Sequence, residues 1–187
     1  LTLQATTSLP APCNIIGSNI TITITPIDNV TSTPAETICT GQPLNYAITS
    51  TSGGTNFTWT ASVTSGTATG VAATGSGNTI IDIITNTNAS TPAVVVYKIT
   101  PQNNSCTGNV FTLTITVDPL PKITAVPVSS PICSNQPAAI TLTSNIANTS
   151  YTWTSVASAG ITGNTNQANA VATNSIQDIL INNGTAA

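Results

Sequence analysis

Residues 111–117 read Phe-Thr-Leu-Thr-Ile-Thr-Val, a strict alternation of apolar and hydroxyl-bearing side chains. Successive side chains of a β-strand point to opposite faces, so this pattern predicts a strand with one face packed and the other in water. Threonine is the commonest residue of the 187, and valine and isoleucine are also abundant. Because β-branched residues favour pleated sheets, we expect the whole chain to be all-β.

Charged residues are scarce: the chain has two lysines, five carboxylates, and no arginine or histidine. Two scattered lysines form no basic surface, which argues against nucleic-acid binding. The apolar runs are far shorter than the roughly 18 residues of a membrane-spanning helix, so we expect no membrane insertion. General acid–base catalysis lacks its usual groups here. We therefore expect no enzyme activity, no catalytic residue, no cofactor and no metal centre.

The chain contains an internal repeat of about 93 residues. The segment Ile-Cys-Thr-Gly-Gln-Pro at 38–43 recurs as Ile-Cys-Ser-Asn-Gln-Pro 94 residues later, and Trp59 recurs as Trp153 at the same spacing. A further match runs from Cys13 and its following apolar alternation to Cys106 and residues 113–117. Several anchors at nearly one spacing indicate tandem modules.

The phase of the repeat divides the chain into three parts. Residues 1–27 correspond to the last hairpin of a module, residues 28–120 to a complete module, and residues 121–187 to a module without its last two strands. The strands expected in the complete module, labelled A, B, C, E, F and G, are residues 34–40, 43–50, 56–63, 78–85, 93–100 and 109–117. Short strands around one central tryptophan describe an immunoglobulin-like sandwich. The predicted fold is therefore all-β, with tandem immunoglobulin-like β-sandwiches cut out of phase.

The succession of motifs resembles a known family. It runs Ile-Cys-x-x-Gln-Pro, (Phe/Tyr)-Thr-Trp-Thr, a glycine-rich segment, Cys-Thr-Gly-Asn and Phe-Thr-Leu-Thr-Ile-Thr-Val-Asp-Pro-Leu-Pro, and it resembles PKD-like repeats. Those are immunoglobulin-like modules of large surface adhesins in gliding and related Bacteroidota. The resemblance covers essentially the whole chain and implies secretion to the cell surface, tandem arrays and no catalytic residues. The chain departs from the pattern in its phase and at Ser134-Asn135, where such modules have Ser-Gly.

The two incomplete parts complement each other. A module without strands F and G exposes backbone groups and apolar side chains, and an isolated hairpin is marginal in water. Both problems are resolved if the N-terminal hairpin of one copy fills the incomplete module of the next. Such a head-to-tail contact propagates as a filament. The subunit-joining residues of this prediction are Leu1, Leu3, Ile20, Ile22 and Ile24.

Two other interpretations stay open at this point. In the first, the same repeats follow one another in a single long polypeptide, so that the partners are neighbouring repeats rather than identical subunits. In the second, the chain is a stalk or ligand-binding segment of a cell-surface adhesin, with the glycine-rich stretch at 65–78 as its loop. We expect Trp59 and Trp153 to be core residues rather than a carbohydrate platform, because each lies in mid-strand between threonines.

Four cysteines, Cys13, Cys39, Cys106 and Cys133, are disulfide candidates in an extracellular chain. Cys39 and Cys106 are expected at opposite ends of one sandwich, about 20 Å apart, whereas bonded Cα atoms lie within about 7 Å. We therefore expect bridges across module junctions. These would join Cys39 to the Cys13-type position of the following unit, and Cys106 to the Cys133-type position of the preceding one. Four free thiols are the alternative.

The remaining polar candidates are carboxylates and sequons. Asp82 and Asp178 occupy equivalent positions on strand E, where we expect solvent-facing carboxylates. Asp28 and Asp118 flank module boundaries, but neither has a second carboxylate beside it, so no Ca²⁺ site is predicted. Several Asn-x-Ser/Thr sequons leave glycan modification and contact with a host surface as open expectations.

Overall fold

A computed structural model describes residues 2–6, 17–22, 24, 26–127 and 130–184. Every strand or helix assigned in these residues is a β-strand, which confirms the all-β, immunoglobulin-like sandwich fold expected from the sequence. Among the described residues, no helix is long and apolar enough to span a bilayer. The strands form three groups in chain order: a hairpin, a central sandwich and a C-terminal sandwich.

The N-terminal hairpin consists of β1 (Thr2–Thr6) and β2 (Gly17–Thr21). The two strands are antiparallel, with Leu3 opposite Ile20. They form a two-stranded sheet of their own, and within the described residues neither strand belongs to another sheet.

The larger layer of the central sandwich is a six-stranded sheet. Its strands are β3 (Ala35–Cys39), β5 (Asn56–Ser65), β7 (Thr74–Ser76), β10 (Ala93–Asn103), β11 (Cys106–Thr107) and β12 (Phe111–Asp118). Their order is β3-β12-β10-β5-β7, with β11 paired to the end of β10. All pairs are antiparallel except β3 with β12. The β10–β12 hairpin, which corresponds to the predicted strands F and G, therefore lies in the middle of the sheet.

The other strands of the central sandwich are short and pair two by two. They are β4 (Tyr46–Ala47) with β8 (Thr79–Ile80), and β6 (Ala68–Thr69) with β9 (Thr85–Asn86). Isolated bridges join Val30 to Ser50 and Pro43 to Ile83. The glycine-rich stretch at 65–78 thus contains two short strands, β6 and β7.

The core of the central sandwich depends on the β10–β12 hairpin. Fourteen buried apolar residues form this core, and half of them lie on the two strands, each with 0 % exposure: Ala93, Val95, Tyr97, Ile99, Leu113, Ile115 and Val117. Full burial of a large apolar side chain contributes about 1.5–3 kcal/mol, so the hairpin contributes on the order of 10 kcal/mol of hydrophobic stabilisation.

The C-terminal sandwich repeats the pattern in a less complete form. Its strands are β13 (Ile123–Pro127), β14 (Gln136–Pro137), β15 (Ile140–Ser144), β16 (Tyr151–Trp153), β17 (Ile161–Thr162), β18 (Gln167–Val171), β19 (Ser175–Ile176) and β20 (Ile179–Asn182). They pair as β13-β15-β19, β14-β20-β17 and β16-β18. Residues 130–133, which correspond to the end of β3, form no strand. In the central sandwich that strand pairs only with β12, and the described residues contain no counterpart of β12 in this sandwich.

The C-terminal core is correspondingly thin. Among the described residues of this sandwich, only Ala138, Leu142 and Tyr151 are buried apolar side chains. Ile176 and Leu180 remain partly exposed. The residues 96 positions earlier, Ile80 and Ile84, are both 0 % exposed.

Candidate functional site: an open groove and an exposed hairpin

An open groove of about 340 Å³ lies over the inner face of the C-terminal sandwich. Its apolar lining includes Ala138, Ile140, Trp153, Ile176 and Leu180. The residues 94 or 96 positions earlier all belong to the closed central core: Leu44, Tyr46, Trp59, Ile80 and Ile84. The groove is therefore the core of a sandwich whose cover does not lie among the described residues.

The strand edge beside the groove also differs between the two sandwiches. In the central sandwich, β5 pairs with β10 on one side and with β7 on the other. Its counterpart β16 pairs with β18 alone within the described residues. A strand edge of this kind presents N–H and C=O groups that can pair with an added strand.

The N-terminal hairpin exposes an apolar face that matches the buried face of β12. Ile20 is 55 % exposed, Ile22 42 % and Ile24 79 %. The residues 93 positions later are all 0 % exposed: Leu113, Ile115 and Val117. Side chains that are buried in the complete sandwich thus have solvent-exposed counterparts on the hairpin.

The strand register of the hairpin agrees with the same correspondence. Leu3 lies opposite Ile20, as Tyr97 lies opposite Leu113 in the β10–β12 hairpin. Leu3 therefore occupies the position of Tyr97. Leu1, which was predicted to join subunits with these residues, lies outside the described residues.

The prediction of solvent-facing carboxylates at Asp82 and Asp178 is wrong, because both are partly buried and hydrogen-bonded. Oδ2 of Asp82 accepts hydrogen bonds from the Tyr97 hydroxyl (2.7 Å) and the Ala72 N–H (2.9 Å). Asp178 accepts two from Thr165, the N–H to Oδ2 (2.7 Å) and the hydroxyl to Oδ1 (2.6 Å). Burial and the neighbouring Asp82 raise the pKa of Tyr97 above its ordinary value.

The family model of the PKD-like domain matches residues 36–121 and residues 130–187. The chain belongs to the PKD-like domain family. This confirms the resemblance found in the motifs, while the bacterial source that the resemblance implied stays a prediction. PKD-like domains typically occur in extracellular or surface proteins, as repeats or adhesin-type modules. No curated protein and no solved structure matches the chain.

Cys39 and Cys106 lie at opposite ends of the central PKD-like domain. Cys39 is paired in register with Asp118 at the end of β12, whereas Cys106 is paired with Asn103 at the far end of β10. Between these ends runs β10, whose eleven residues span about 33 Å in ten steps of about 3.3 Å. These two cysteines and Cys133 are free thiols in the structure, and Cys39 and Cys133 are exposed. Cys13 lies outside the described residues.

Asp28 is a buried carboxylate whose environment the sequence did not reveal. It is 1 % exposed and accepts hydrogen bonds from the hydroxyls of Thr55 and Thr51 (2.7 Å to Thr51) and from Asn103 Nδ2 (3.3 Å). These bonds, with that of Thr55 the strongest, hold the pKa of Asp28 below its ordinary value. Asp118 lies at the opposite end of the domain, beside Cys39, so the two boundary carboxylates are not brought together.

The two tryptophans differ in burial. Trp59 is 8 % exposed and belongs to the central core, and a Cβ on Gly75 would lie 2.4 Å from its ring. Gly75 therefore permits the strand β7 to cross directly over the indole. Trp153 is partly exposed and lines the groove. Neither indole N–H has a hydrogen-bond partner in the described part of the chain.

Asn145 connects the two PKD-like domains and carried no signal in the sequence. Its Nδ2 donates to the carbonyl of Ala89 in the central domain and, at 3.4 Å, to that of Leu120. Its Oδ1 accepts the N–H of Lys122. A single amide side chain thus fixes the segment between the domains against the end of the central sandwich.

Proposed function

We propose that this chain is a structural subunit of a secreted, extracellular filament and has no catalytic role. The N-terminal hairpin of one copy occupies the groove in the C-terminal PKD-like domain of the next copy and completes its core. One correspondence carries the proposal: the exposed apolar residues of the hairpin match, position by position, residues that are fully buried on β12. The equal register of the two hairpins supports it.

The energetics favour seating of the hairpin. Each isoleucine of the exposed face gains about 1.5–3 kcal/mol on full burial. The groove offers a complementary apolar lining and the edge of β16 offers backbone partners, which are the two components of β-strand addition. The same contacts cover the partly exposed Ile176 and Leu180 of the acceptor.

The geometry of this joint leads to a fibre rather than a closed dimer. The hairpin lies at one end of the chain and the groove at the other, so each copy offers two different surfaces. A heterologous contact of this kind adds copies in one direction and forms an open filament unless the rotation closes a ring. The partners are identical subunits in head-to-tail order.

Disulfides would lock the joint covalently. Cys39 of one copy bonds with Cys13 of the copy whose hairpin it receives, and Cys133 bonds with Cys106 of that same copy. The separation of Cys39 and Cys106 along β10 favours these pairings over a bond between those two residues within one chain. In each bridge, two thiols lose two protons and two electrons to a disulfide-bearing oxidoreductase, which becomes a dithiol.

Assembly of the 187-residue polypeptide tests the proposal. Size-exclusion chromatography and negative-stain microscopy should show filaments for the unaltered chain and monomers for the double variant Ile20→Asp/Ile24→Asp. Ile81→Asp is the matched control, because Ile81 is 67 % exposed but lies neither on the hairpin nor in the groove. A well-folded monomer of the unaltered chain at high concentration would overturn the proposal.

Native filaments distinguish separate subunits from one long polypeptide of the same repeats. Boiled in detergent with a reductant, filaments of separate subunits release individual chains. A product that stays at the mass of many repeats would show that neighbouring repeats are covalently continuous, and would contradict exchange of hairpins between chains.

A further inference from the structure

Asp82 and Asp178 occupy equivalent positions in the two domains, and each accepts two hydrogen bonds. One of the two donors is of the same kind in both domains, and the other differs. Both accept a backbone N–H on Oδ2, from Ala72 in the central domain and from Thr165 in the C-terminal domain. The remaining bond of Asp82 comes from Tyr97 on β10, and that of Asp178 comes from the hydroxyl of Thr165 itself. Thr165 thus takes the position of Ala72 and also supplies a hydroxyl donor, which binds Oδ1 of Asp178 rather than the Oδ2 that Tyr97 binds on Asp82.

The hairpin residue at this position explains the difference. Leu3 has the register of Tyr97 but no hydroxyl. Seated against a groove with alanine at position 165, it would cover a carboxylate that had lost a donor, and an unmet buried polar group is destabilising. Thr165 donates to both carboxylate oxygens of Asp178 from within the acceptor, so neither oxygen lacks a donor when Leu3 covers this part of the groove.

We propose that Thr165 and Leu3 form the specificity pair of the joint, so that the groove selects the N-terminal hairpin over the β10–β12 hairpin of another copy. This rests on the proposed function. A tyrosine entering the groove meets a carboxylate that already holds two hydrogen bonds, and therefore gains less for the desolvation of its hydroxyl. Exchange of β10–β12 between copies is the competing domain swap, and discrimination against it keeps the order of subunits uniform.

Binding of hairpin peptides to a full-length acceptor tests the pair. The acceptor is the chain with Ile20→Asp and Ile24→Asp, whose own hairpin cannot seat. The probes are a peptide of residues 1–27 and the same peptide with Leu3→Tyr, and their Kd values are measured by calorimetry. The acceptor with Thr165 should prefer the unaltered peptide. In the acceptor that also carries Thr165→Ala, the affinity of the Leu3→Tyr peptide relative to that of the unaltered peptide should rise about tenfold. This factor corresponds to one hydrogen bond to a charged group.

Two control acceptors separate the hydroxyl from general effects on folding. Thr165→Ser keeps the hydroxyl and should keep the original preference. Thr141→Ala removes an exposed threonine of β15 that does not line the groove, and should leave the ratio unchanged. An equal ratio for the Thr165 and Thr165→Ala acceptors would overturn the specificity pair while leaving the joint intact. Failure of both peptides to bind any acceptor would instead overturn the joint itself, and this inference with it.

Discussion

The hydroxyl of Tyr97 donates a 2.7 Å hydrogen bond to Oδ2 of Asp82, and this bond ties the middle strand of the main sheet to the segment between β8 and β9. Tyr97 is 0 % exposed, so its hydroxyl reaches this partner from within the core. The bond connects the two layers of the central domain. Within the described residues, the equivalent Asp178 of the C-terminal domain accepts no hydrogen bond from a tyrosine.

Removing that hydroxyl should destabilise the central domain. We expect Tyr97→Phe to lower the free energy of unfolding by about 1–3 kcal/mol, because Asp82 loses a donor in a partly buried place. Urea denaturation measures the change. Tyr151→Phe is the matched control, since no hydrogen bond is made by the Tyr151 hydroxyl in the described residues, and a shift within about 0.5 kcal/mol is expected. Equal losses for the two variants would contradict the assigned role.

Alkaline pH should weaken the central domain through the same residue. The pKa of Tyr97 is raised in the folded state, so the folded chain holds this proton more tightly than the unfolded chain. Stability is therefore complete below the unfolded pKa of about 10 and falls as the pH rises above it. Urea titrations between pH 8 and 11 should show this fall in the unaltered chain, and a smaller one in Tyr97→Phe. The same slope in both would exclude Tyr97 as its cause.

Low pH should reduce the stability of the central domain through Asp28. Its pKa is lowered in the folded state, so its contribution is present above the ordinary value of 3.8 and is lost as the pH falls below it. Asp28→Asn should remove this part of the acid sensitivity, and Thr55→Ala should reduce it by removing the strongest donor. Thr60→Ala, an exposed threonine on β5, should not change it. The midpoint temperature of thermal unfolding, recorded from pH 6 to pH 2, is to be compared between the unaltered chain and the three variants.

A glycine at the equivalent position of each domain should tolerate no side chain. Gly70 has a φ of +82°, and an added Cβ would lie 2.1 Å from the carbonyl oxygen of Ile83. Gly163 repeats the arrangement, with a φ of +92° and a distance of 2.0 Å to the oxygen of Ile179. We expect Gly70→Ala to cost about 2 kcal/mol or more in the free energy of unfolding. Gly53→Ala, where nothing lies within 4 Å, should leave chemical denaturation unchanged or shift it slightly upwards.

The proposed disulfides between subunits predict a ladder of covalent multimers on a non-reducing gel. Filaments of the unaltered chain should run as covalent multimers without reductant and as single chains with it. Because two bridges cross each joint, Cys39→Ser alone should leave the ladder, whereas Cys39→Ser with Cys106→Ser should abolish it. Mass spectrometry that found Cys39 bonded to Cys106 of the same chain would contradict the pairing.

Most of the fold could be predicted from local patterns. The alternation at 111–117 and the spacing of Trp59 and Trp153 predicted the strands and the repeat, because a strand with one buried face must alternate and a repeated core must reuse its anchors. The solvent-facing prediction for Asp82 and Asp178 was wrong, because it used the period of the strand alone. Tyr97 is 15 residues from Asp82, and only the packing of the two layers brings them together.

The sequence by itself determined the class of fold and the family motifs, since these follow from which side chains favour sheets and how often they recur, and the phase of the repeat predicts the division into hairpin, complete domain and incomplete domain. Tertiary structure alone decided which polar groups meet. Three examples are the hydrogen bond from the Thr165 hydroxyl to Asp178, the hydrogen bonds to Asp28, and the hydrogen bond from Asn145 to Ala89. The distances along the chain between these partners follow neither the period of a strand nor the length of the repeat. Such contacts depend on how strands from distant segments pack, and hydrogen bonds form only when that packing brings donor and acceptor within about 3 Å.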